Sequence, residues 1–138
     1  DKRDDNLKSM VFGTFDILHP GHLFLFKEAK KFGKYLTVVV ARDETVLRMK
    51  GKLPSNNENI RKLNVEKTKL VSKVVLGNND DYYKIIEEEK PDVICLGYDQ
   101  NTSIAKSLQN TLAIRNISAK IVRISPYKEE MYKSSKLK

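Results

Sequence analysis

Short apolar runs alternate along the chain with segments whose apolar residues recur at helical spacing. The runs show no polar alternation, which is typical of strands covered on both faces of a parallel sheet. The strands are expected at 9–12, 35–41, 73–76, 93–96 and 120–124. Helices are expected at about 21–32, 44–49, after residue 57, at 82–89 and from 104 to about 116. The alternation predicts one α/β domain over residues 1–138 with a doubly wound parallel sheet of about five strands.

Single residues mark some boundaries. Gly33 is expected to end the first helix, and Asn57 to cap the third. One face of that third helix is expected to carry Ile60, Leu63, Lys67 and Leu70. Cys95 lies inside an apolar strand and is therefore interpreted as a core residue rather than a nucleophile.

The charge of the chain points to an anionic partner. Among its 138 residues, 26 Lys and Arg against 18 Asp and Glu give a formal net charge of +8. A nucleic acid or a small anionic substrate could explain this balance, but the charges are dispersed, without an arginine-rich tail or a basic-aromatic repeat, so most of the lysines are expected on the solvated surface and no nucleic-acid partner is expected. The one cysteine excludes an internal disulfide and a cysteine-based metal cluster.

The apolar pattern also bears on location. No apolar run approaches the roughly 18 residues of a membrane-spanning helix, so no membrane partner is expected. The sequence does not open on a charged-then-apolar leader, and we expect a cytoplasmic protein. Residues 1–7 begin with a charged run and are expected to be disordered.

The stretch that carries the chemistry runs from residue 13 to 22 and reads Gly-Thr-Phe-Asp-Ile-Leu-His-Pro-Gly-His. It links the first expected strand to the first expected helix and contains both histidines of the chain, His19 and His22. A helix amino terminus offers unpaired N–H groups and a partial positive charge, and Gly13 and Gly21 let an anion approach the backbone. If the helix begins near His19, the two imidazoles face the same side. Together they would stabilise charge on a phosphoryl group.

Two other interpretations of this stretch are open. In a purely structural one, His19 caps the helix, His22 packs, and Pro20 starts the first turn. In the other, the His-x-x-His spacing supplies two zinc ligands, but a third ligand is missing among the other residues. We therefore expect no metal held by the protein's own side chains.

The ten-residue stretch resembles the signature of the cytidylyltransferase-like nucleotidyltransferases, a family with a Rossmann-like α/β domain. Three further segments resemble its archaeal-type FAD synthase branch: 40–45, 96–100 and 127–137. The resemblance implies transfer of AMP from ATP to FMN, with release of pyrophosphate. The alternatives are a cytidylyltransferase acting on glycerol 3-phosphate or a related small phosphorylated alcohol or sugar, and a nucleotide- or nucleic-acid-binding module without catalysis.

The resemblance also implies roles for the motif residues. Thr14 and Phe15 would bind the nucleotide, chiefly through the backbone and the hydroxyl, although the Phe15 side chain could equally pack in the core. His19 and His22 would hold the triphosphate and stabilise the α-phosphorus during attack. The turn between them would be shaped by Pro20 and Gly21.

Basic residues further along are weaker candidates. Lys50 or Lys52 would contact the acceptor or the phosphates; the alternative is a solvated loop lysine. Arg61 could reach the same anionic site or could pair with a nearby carboxylate for structural reasons.

The resemblance adds candidates near the end of the chain and a cofactor. Asp99 and Tyr127 would line the nucleotide pocket, with a turn or cap as the alternative for Asp99. Ser134 and Ser135 resemble a motif that grips phosphate. A divalent metal ion, expected to be Mg²⁺, would be held mainly by the triphosphate, and the resemblance implies a homodimer.

Overall fold

A computed structural model describes residues 7–78, 83–97 and 102–124, with backbone alone at 102–107. Within these ranges, the strands are β1 (Lys8–Gly13), β2 (Tyr35–Val40), β3 (Lys73–Leu76), β4 (Val93–Leu96) and β5 (Lys120–Arg123). The helices are α1 (Pro20–Phe32), α2 (Asp43–Lys50), α3 (Glu58–Lys67), α4 (Lys84–Glu89) and α5 (Thr102–Ile114). The strands pair in parallel in the order β3-β2-β1-β4-β5.

Strand β1 shows why both faces of the sheet are covered. Successive side chains of a strand point to opposite faces. Met10 and Phe12 pack into an apolar cluster with residues of α4 and α5, whereas Val11 packs into a second cluster with residues of α1 and α3. Met10 and Val11 are both fully buried. The doubly wound α/β fold predicted from the apolar runs is therefore confirmed, with strand ends within about a residue of the predicted ones.

The apolar pattern predicted the wrong buried face for the third helix. Helix α3 begins after Asn57, whose side chain accepts a hydrogen bond from the Ile60 N–H, as the predicted cap requires. Its buried residues are Arg61 and Val65. Of the residues predicted to share a face, Ile60 and Leu63 are 44% and 48% exposed, and Leu70 lies beyond the end of the helix. The helix turns a different face to the sheet because a buried arginine occupies the core position.

Cys95 is a core residue, as predicted. It lies in β4 with 1% of its surface exposed, and burial raises the pKa of its thiol to about 12. No helix in the described part of the chain is long and apolar enough to cross a membrane. Of the start expected to be disordered, residues 1–6 lie outside the described ranges, whereas the Leu7 carbonyl accepts a hydrogen bond from the Tyr35 N–H at 3.4 Å. The expected beginning of the fourth helix at residue 82 also lies outside the described ranges.

The strand order places the motif loop at a distinctive position. From β1 the chain proceeds to β2 and β3 on one side, whereas β4 and β5 lie on the other. The order in which strands are added to the sheet therefore reverses between β1 and β4, and doubly wound sheets bind ligands outside the carboxyl ends of strands at such a point. The Gly13 that ends β1 opens the loop carrying both histidines.

Candidate active site

The two histidines form the amino end of α1. His19 is the N-cap residue, and its Nδ1 accepts a hydrogen bond from the Gly21 N–H at 3.0 Å. The Nδ1 of His22 in turn accepts from the His19 N–H at 3.3 Å. Their rings stack with centroids 3.9 Å apart, and Pro20 is the first helical residue. The structural interpretation therefore holds for the cap and the proline.

The same hydrogen bonds fix which nitrogen of each ring carries the proton. A neutral imidazole has one donor nitrogen and one acceptor nitrogen. Because both Nδ1 atoms accept from the backbone, the hydrogen-bond network assigns the proton of each neutral ring to Nε2. His19 is exposed and His22 half-buried. Capping and phosphate binding are thus compatible at His19, since the cap uses Nδ1 and the N–H donor of the ring is Nε2.

The glycines of the motif make room for rings. A Cβ at Gly21 would lie 2.7 Å from Cε1 of His19, and a Cβ at Gly13 would lie 2.7 Å from Cζ of Phe15. Atoms that close must move apart. The glycines were expected to admit an anion to the backbone, and that stays a prediction; the structure shows that they leave room for the rings of Phe15 and His19.

Phe15 turns the loop and supports His22. Its φ of 52° lies in the left-handed region, which costs a non-glycine residue about 1–2 kcal/mol. Its ring is 4% exposed, with centroids 5.4 Å from Phe26 and 5.3 Å from His22, the latter edge to face. The side chain therefore packs in the core, which was one of the two interpretations, and its contact holds the His22 ring in place.

The structure brings Lys50 to the motif. Its Nζ lies 3.3 Å from Oγ1 of Thr14. Lys50 is the last residue of α2, and the C-cap that follows it is Gly51, with a φ of 81°. Lys52 lies in the exposed loop beyond that glycine. Of the two lysines proposed from the sequence, Lys50 is the one in contact with a motif residue.

Arg61 is part of the scaffold. Its side chain is 0% exposed and bonds to four residues: Nε to the Asn56 carbonyl (2.9 Å), Nη1 to the carbonyls of Thr14 (2.8 Å) and Ala41 (2.7 Å), and Nη2 to the Asp43 carboxylate (2.6 Å). The hypothesis that it contacts an anionic ligand directly is therefore corrected in favour of the carboxylate pair. Its role at the site is to hold the Thr14 carbonyl in place.

Asp16 has a structural role that sequence reasoning missed. Its two carboxylate oxygens accept from the backbone N–H groups of Ser55 and Asn56 at 2.8 Å each, and Asn56 Nδ2 donates to the Asp16 carbonyl at 2.8 Å. These backbone hydrogen bonds, assisted by the charge of Arg61, lower the pKa of the carboxyl. Asp16 therefore ties the motif loop to the segment before α3. Its partners lie 39 and 40 residues away, so only the presence of an aspartate inside the motif could have drawn attention to it.

Other predicted residues have no structural outcome. Asp99, Tyr127, Ser134 and Ser135 lie outside the described residues. In the ranges that are described, no three His, Cys, Asp or Glu side chains come together as metal ligands.

Comparison with known proteins identifies the family. Residues 10–138 match the family described as Cytidylyltransferase-like. The chain belongs to this family. It is 48% identical over 121 residues to a FAD synthase from Aciduliprofundum boonei, covering 88% of this chain and 80% of that one. A FAD synthase from Thermoplasma volcanium is 44% identical over 132 residues, covering 96% and 92%.

Two solved structures have a similar fold. A crystallised lipopolysaccharide core biosynthesis protein from Thermoplasma volcanium superimposes with a TM-score of 0.81 at 46% identity, covering 88% of this chain and 98% of the other. A pantoate-beta-alanine ligase from Francisella tularensis superimposes with a TM-score of 0.65 at 14% identity, covering 86% and 59%. The second likeness bears on the fold alone.

Proposed function

We propose that this chain is an FMN adenylyltransferase that transfers AMP from ATP to FMN, giving FAD and pyrophosphate. The FAD synthase relatives, 44% and 48% identical over most of the chain, support the choice of substrates. The structural observation that carries the proposal is the pair of stacked imidazoles at the amino end of α1, which follows β1 at the point where the strand order of the sheet reverses.

The reaction is an in-line displacement. An oxygen of the FMN phosphate forms a bond to the α-phosphorus of ATP, and the bond from that phosphorus to the bridging oxygen breaks, its electron pair leaving with pyrophosphate. Negative charge on the oxygens around the α-phosphorus is stabilised by fixed donors. The Nε2–H groups of His19 and His22 would be such donors, assisted by the partial positive charge at the amino end of α1.

Thr14, Phe15 and Lys50 complete the proposed phosphate site. The backbone at Thr14 and Phe15 would line the nucleotide, with the Thr14 carbonyl held by Arg61. Lys50 is the better candidate of the two lysines for the phosphate oxygens, because its ammonium group already lies beside Thr14. Lys52 stays a candidate for the acceptor phosphate.

We also propose that Mg²⁺ accompanies the triphosphate. Mg²⁺ prefers oxygen ligands and commonly takes them from substrate phosphates; when bound, it would neutralise part of the phosphate charge. Activity should be abolished by EDTA and restored by excess Mg²⁺. Turnover at full rate in a metal-free assay would refute this part of the proposal.

A homodimer in the cytoplasm is proposed as the working form. The support for the dimer is the family resemblance, together with the exposed apolar side chains of Leu47, Ile60 and Leu63 on α2 and α3. Light scattering after size-exclusion chromatography should give twice the chain mass of 15.9 kDa. A mass of one chain at micromolar concentration would contradict the dimer.

The decisive experiment offers the purified chain ATP or CTP with FMN, glycerol 3-phosphate or a sugar phosphate. Pyrophosphate and FAD should appear in equal amounts with ATP and FMN. Turnover of CTP with glycerol 3-phosphate instead would indicate a cytidylyltransferase. Binding without pyrophosphate release, weakened steeply by salt, would indicate a binding module without catalysis.

A further inference from the structure

Three large apolar side chains around the motif loop are strongly exposed. Ile17 is 69% exposed, Met49 68% and Leu53 59%. Single exposed apolar residues are ordinary on protein surfaces, whereas several together beside a site commonly mark a binding surface. Ile17 belongs to the motif loop itself, and the other two flank Lys50 and Lys52 in the sequence Met-Lys-Gly-Lys-Leu at 49–53.

Contacts already described hold these segments together. Lys50, next to Met49, lies with its Nζ 3.3 Å from the Thr14 hydroxyl. The Asp16 carboxylate, next to Ile17, accepts from the backbone of Ser55, two residues after Leu53. Two independent hydrogen bonds therefore bring the segment 49–55 against the motif loop, with exposed apolar side chains on both.

Apolar and basic side chains lie next to each other in the segment 49–53, and this combination limits the kind of acceptor that the surface can bind. A lysine suits the phosphate of any phosphorylated acceptor, because the contact is one of charge. Exposed Met and aliphatic side chains add binding energy only for a ligand with apolar surface to bury. Glycerol 3-phosphate has almost none, whereas FMN joins its phosphate to a broad flat ring system.

We propose that Ile17, Met49 and Leu53 form the subsite for the isoalloxazine ring of the acceptor, with its phosphate directed toward the lysines between them. This inference rests on the proposed function and extends it, since it states why a flavin is preferred to a small polar acceptor. The ring subsite lies on the same edge of the sheet as the histidines.

The test replaces the three apolar side chains and measures each substrate separately. Ile17→Ser, Met49→Ser and Leu53→Ser should each raise the KM for FMN by about tenfold, and the triple variant by more, with the KM for ATP within about twofold of wild type. Met49→Leu, which keeps an apolar side chain, should raise the KM for FMN less than Met49→Ser. Ile114→Ser, at an 84% exposed position on α5, is the matched control and should leave both constants unchanged.

The outcomes separate this inference from the proposed function. If the wild-type chain makes no FAD from ATP and FMN, the proposed function fails before any variant is needed. If the wild type makes FAD and the triple variant keeps the wild-type KM for FMN, the ring binds elsewhere and the inference is overturned. Equal increases in the KM for ATP and FMN would also overturn it. Quenching of FMN fluorescence, titrated with the same variants, should give the same ranking for binding alone.

Discussion

The amino ends of α1, α2 and α3 all carry the partial positive charge of a helix terminus, but the chain treats them differently. The first turn of α2 contains Asp43 and Glu44, and that of α3 contains Glu58. The first turn of α1 contains no acidic residue and begins with the two stacked imidazoles. The difference indicates which helix end is available to an anion from outside.

Two of these acidic groups, Asp43 and Glu58, are engaged within the protein. The Asp43 carboxylate accepts from Arg61, and Glu58 accepts from Arg42 at 3.1 Å and from the Asp43 N–H at 2.9 Å. Even Asp16, although it lies in the motif loop, directs its carboxylate to the amides that precede α3. The first turns of α2 and α3 therefore contain acidic side chains of the chain itself, whereas the first turn of α1 contains none.

The largest effect, on the free energy of unfolding, is expected when Arg61 is replaced. Arg61→Ala leaves the Asp43 carboxylate without its buried partner and three carbonyls without a donor, so the free energy of unfolding should fall by about 3–5 kcal/mol. Urea denaturation measures it. Lys62→Ala, which loses only a surface pair with Glu66 on the same helix, should cost about 0.5 kcal/mol or less. A loss below about 1 kcal/mol for Arg61→Ala would show that the buried pair contributes little.

Next in size is the loss of the imidazoles. His19→Asn keeps a side-chain oxygen that can cap α1 but removes the Nε2–H donor. We expect kcat to fall by about 10²–10³, as for the loss of one fixed donor to a charged transition state, with the melting temperature and ATP affinity close to wild type. His22→Asn should behave alike in kcat. Equal losses in kcat and in ATP affinity would mean that the rings only bind the nucleotide.

A smaller effect, on the KM for ATP, is expected when the first turn of α1 is given an acidic residue like those in α2 and α3. Pro20→Glu places a carboxylate in the first turn, where it stabilises the helix end but repels a triphosphate. The KM for ATP should rise by about tenfold, which corresponds to about 1.4 kcal/mol. Pro20→Gln lacks the charge and measures the effect of losing the proline alone. If the two variants raise KM equally, the electrostatic contrast between the helix ends has no bearing on nucleotide binding.

The smallest effect concerns Asp16 and pH. Because its pKa is lowered in the folded chain, the carboxylate contributes stability that is complete above its ordinary value of 3.8 and is lost as pH falls through the lowered value. Asp16→Asn should therefore lower the melting temperature at pH 7, and the gap to wild type should narrow below about pH 4. A gap that stays constant down to pH 2 would mean that the ionised carboxylate is not what ties the loop.

Much of the fold was readable from the sequence because its strongest signal is local. Runs without polar alternation, such as that of β2, are typical of strands buried on both faces of a covered parallel sheet, and Gly33 and Asn57 marked helix ends. The face of α3 was not readable. A polar Arg61 enters the core there because four acceptors surround it, three of them 18 or more residues away, and such partners leave no periodic trace in the sequence.

The candidate site divides in the same way. The spacing of His19 and His22 correctly predicted that both imidazoles lie at the amino end of α1, since that geometry depends on one turn of helix; phosphate binding there stays a prediction. The choice between Lys50 and Lys52 depends on where α2 ends, and the role of Asp16 depends on a contact across 39 residues. Local patterns therefore predicted the reactive groups, and long-range contacts determined how they are held.

The buried thiol of Cys95 has a practical consequence. Alkylating reagents attack the thiolate, and this group is both enclosed by β1 and β5 and kept protonated by its raised pKa. Since the chain has no second cysteine, modification of the native protein must wait until the central sheet opens. The rate at which Cys95 is alkylated therefore reports how often the sheet opens. If added ATP or FMN slows the alkylation, the size of the decrease measures how far that substrate stabilises the folded chain.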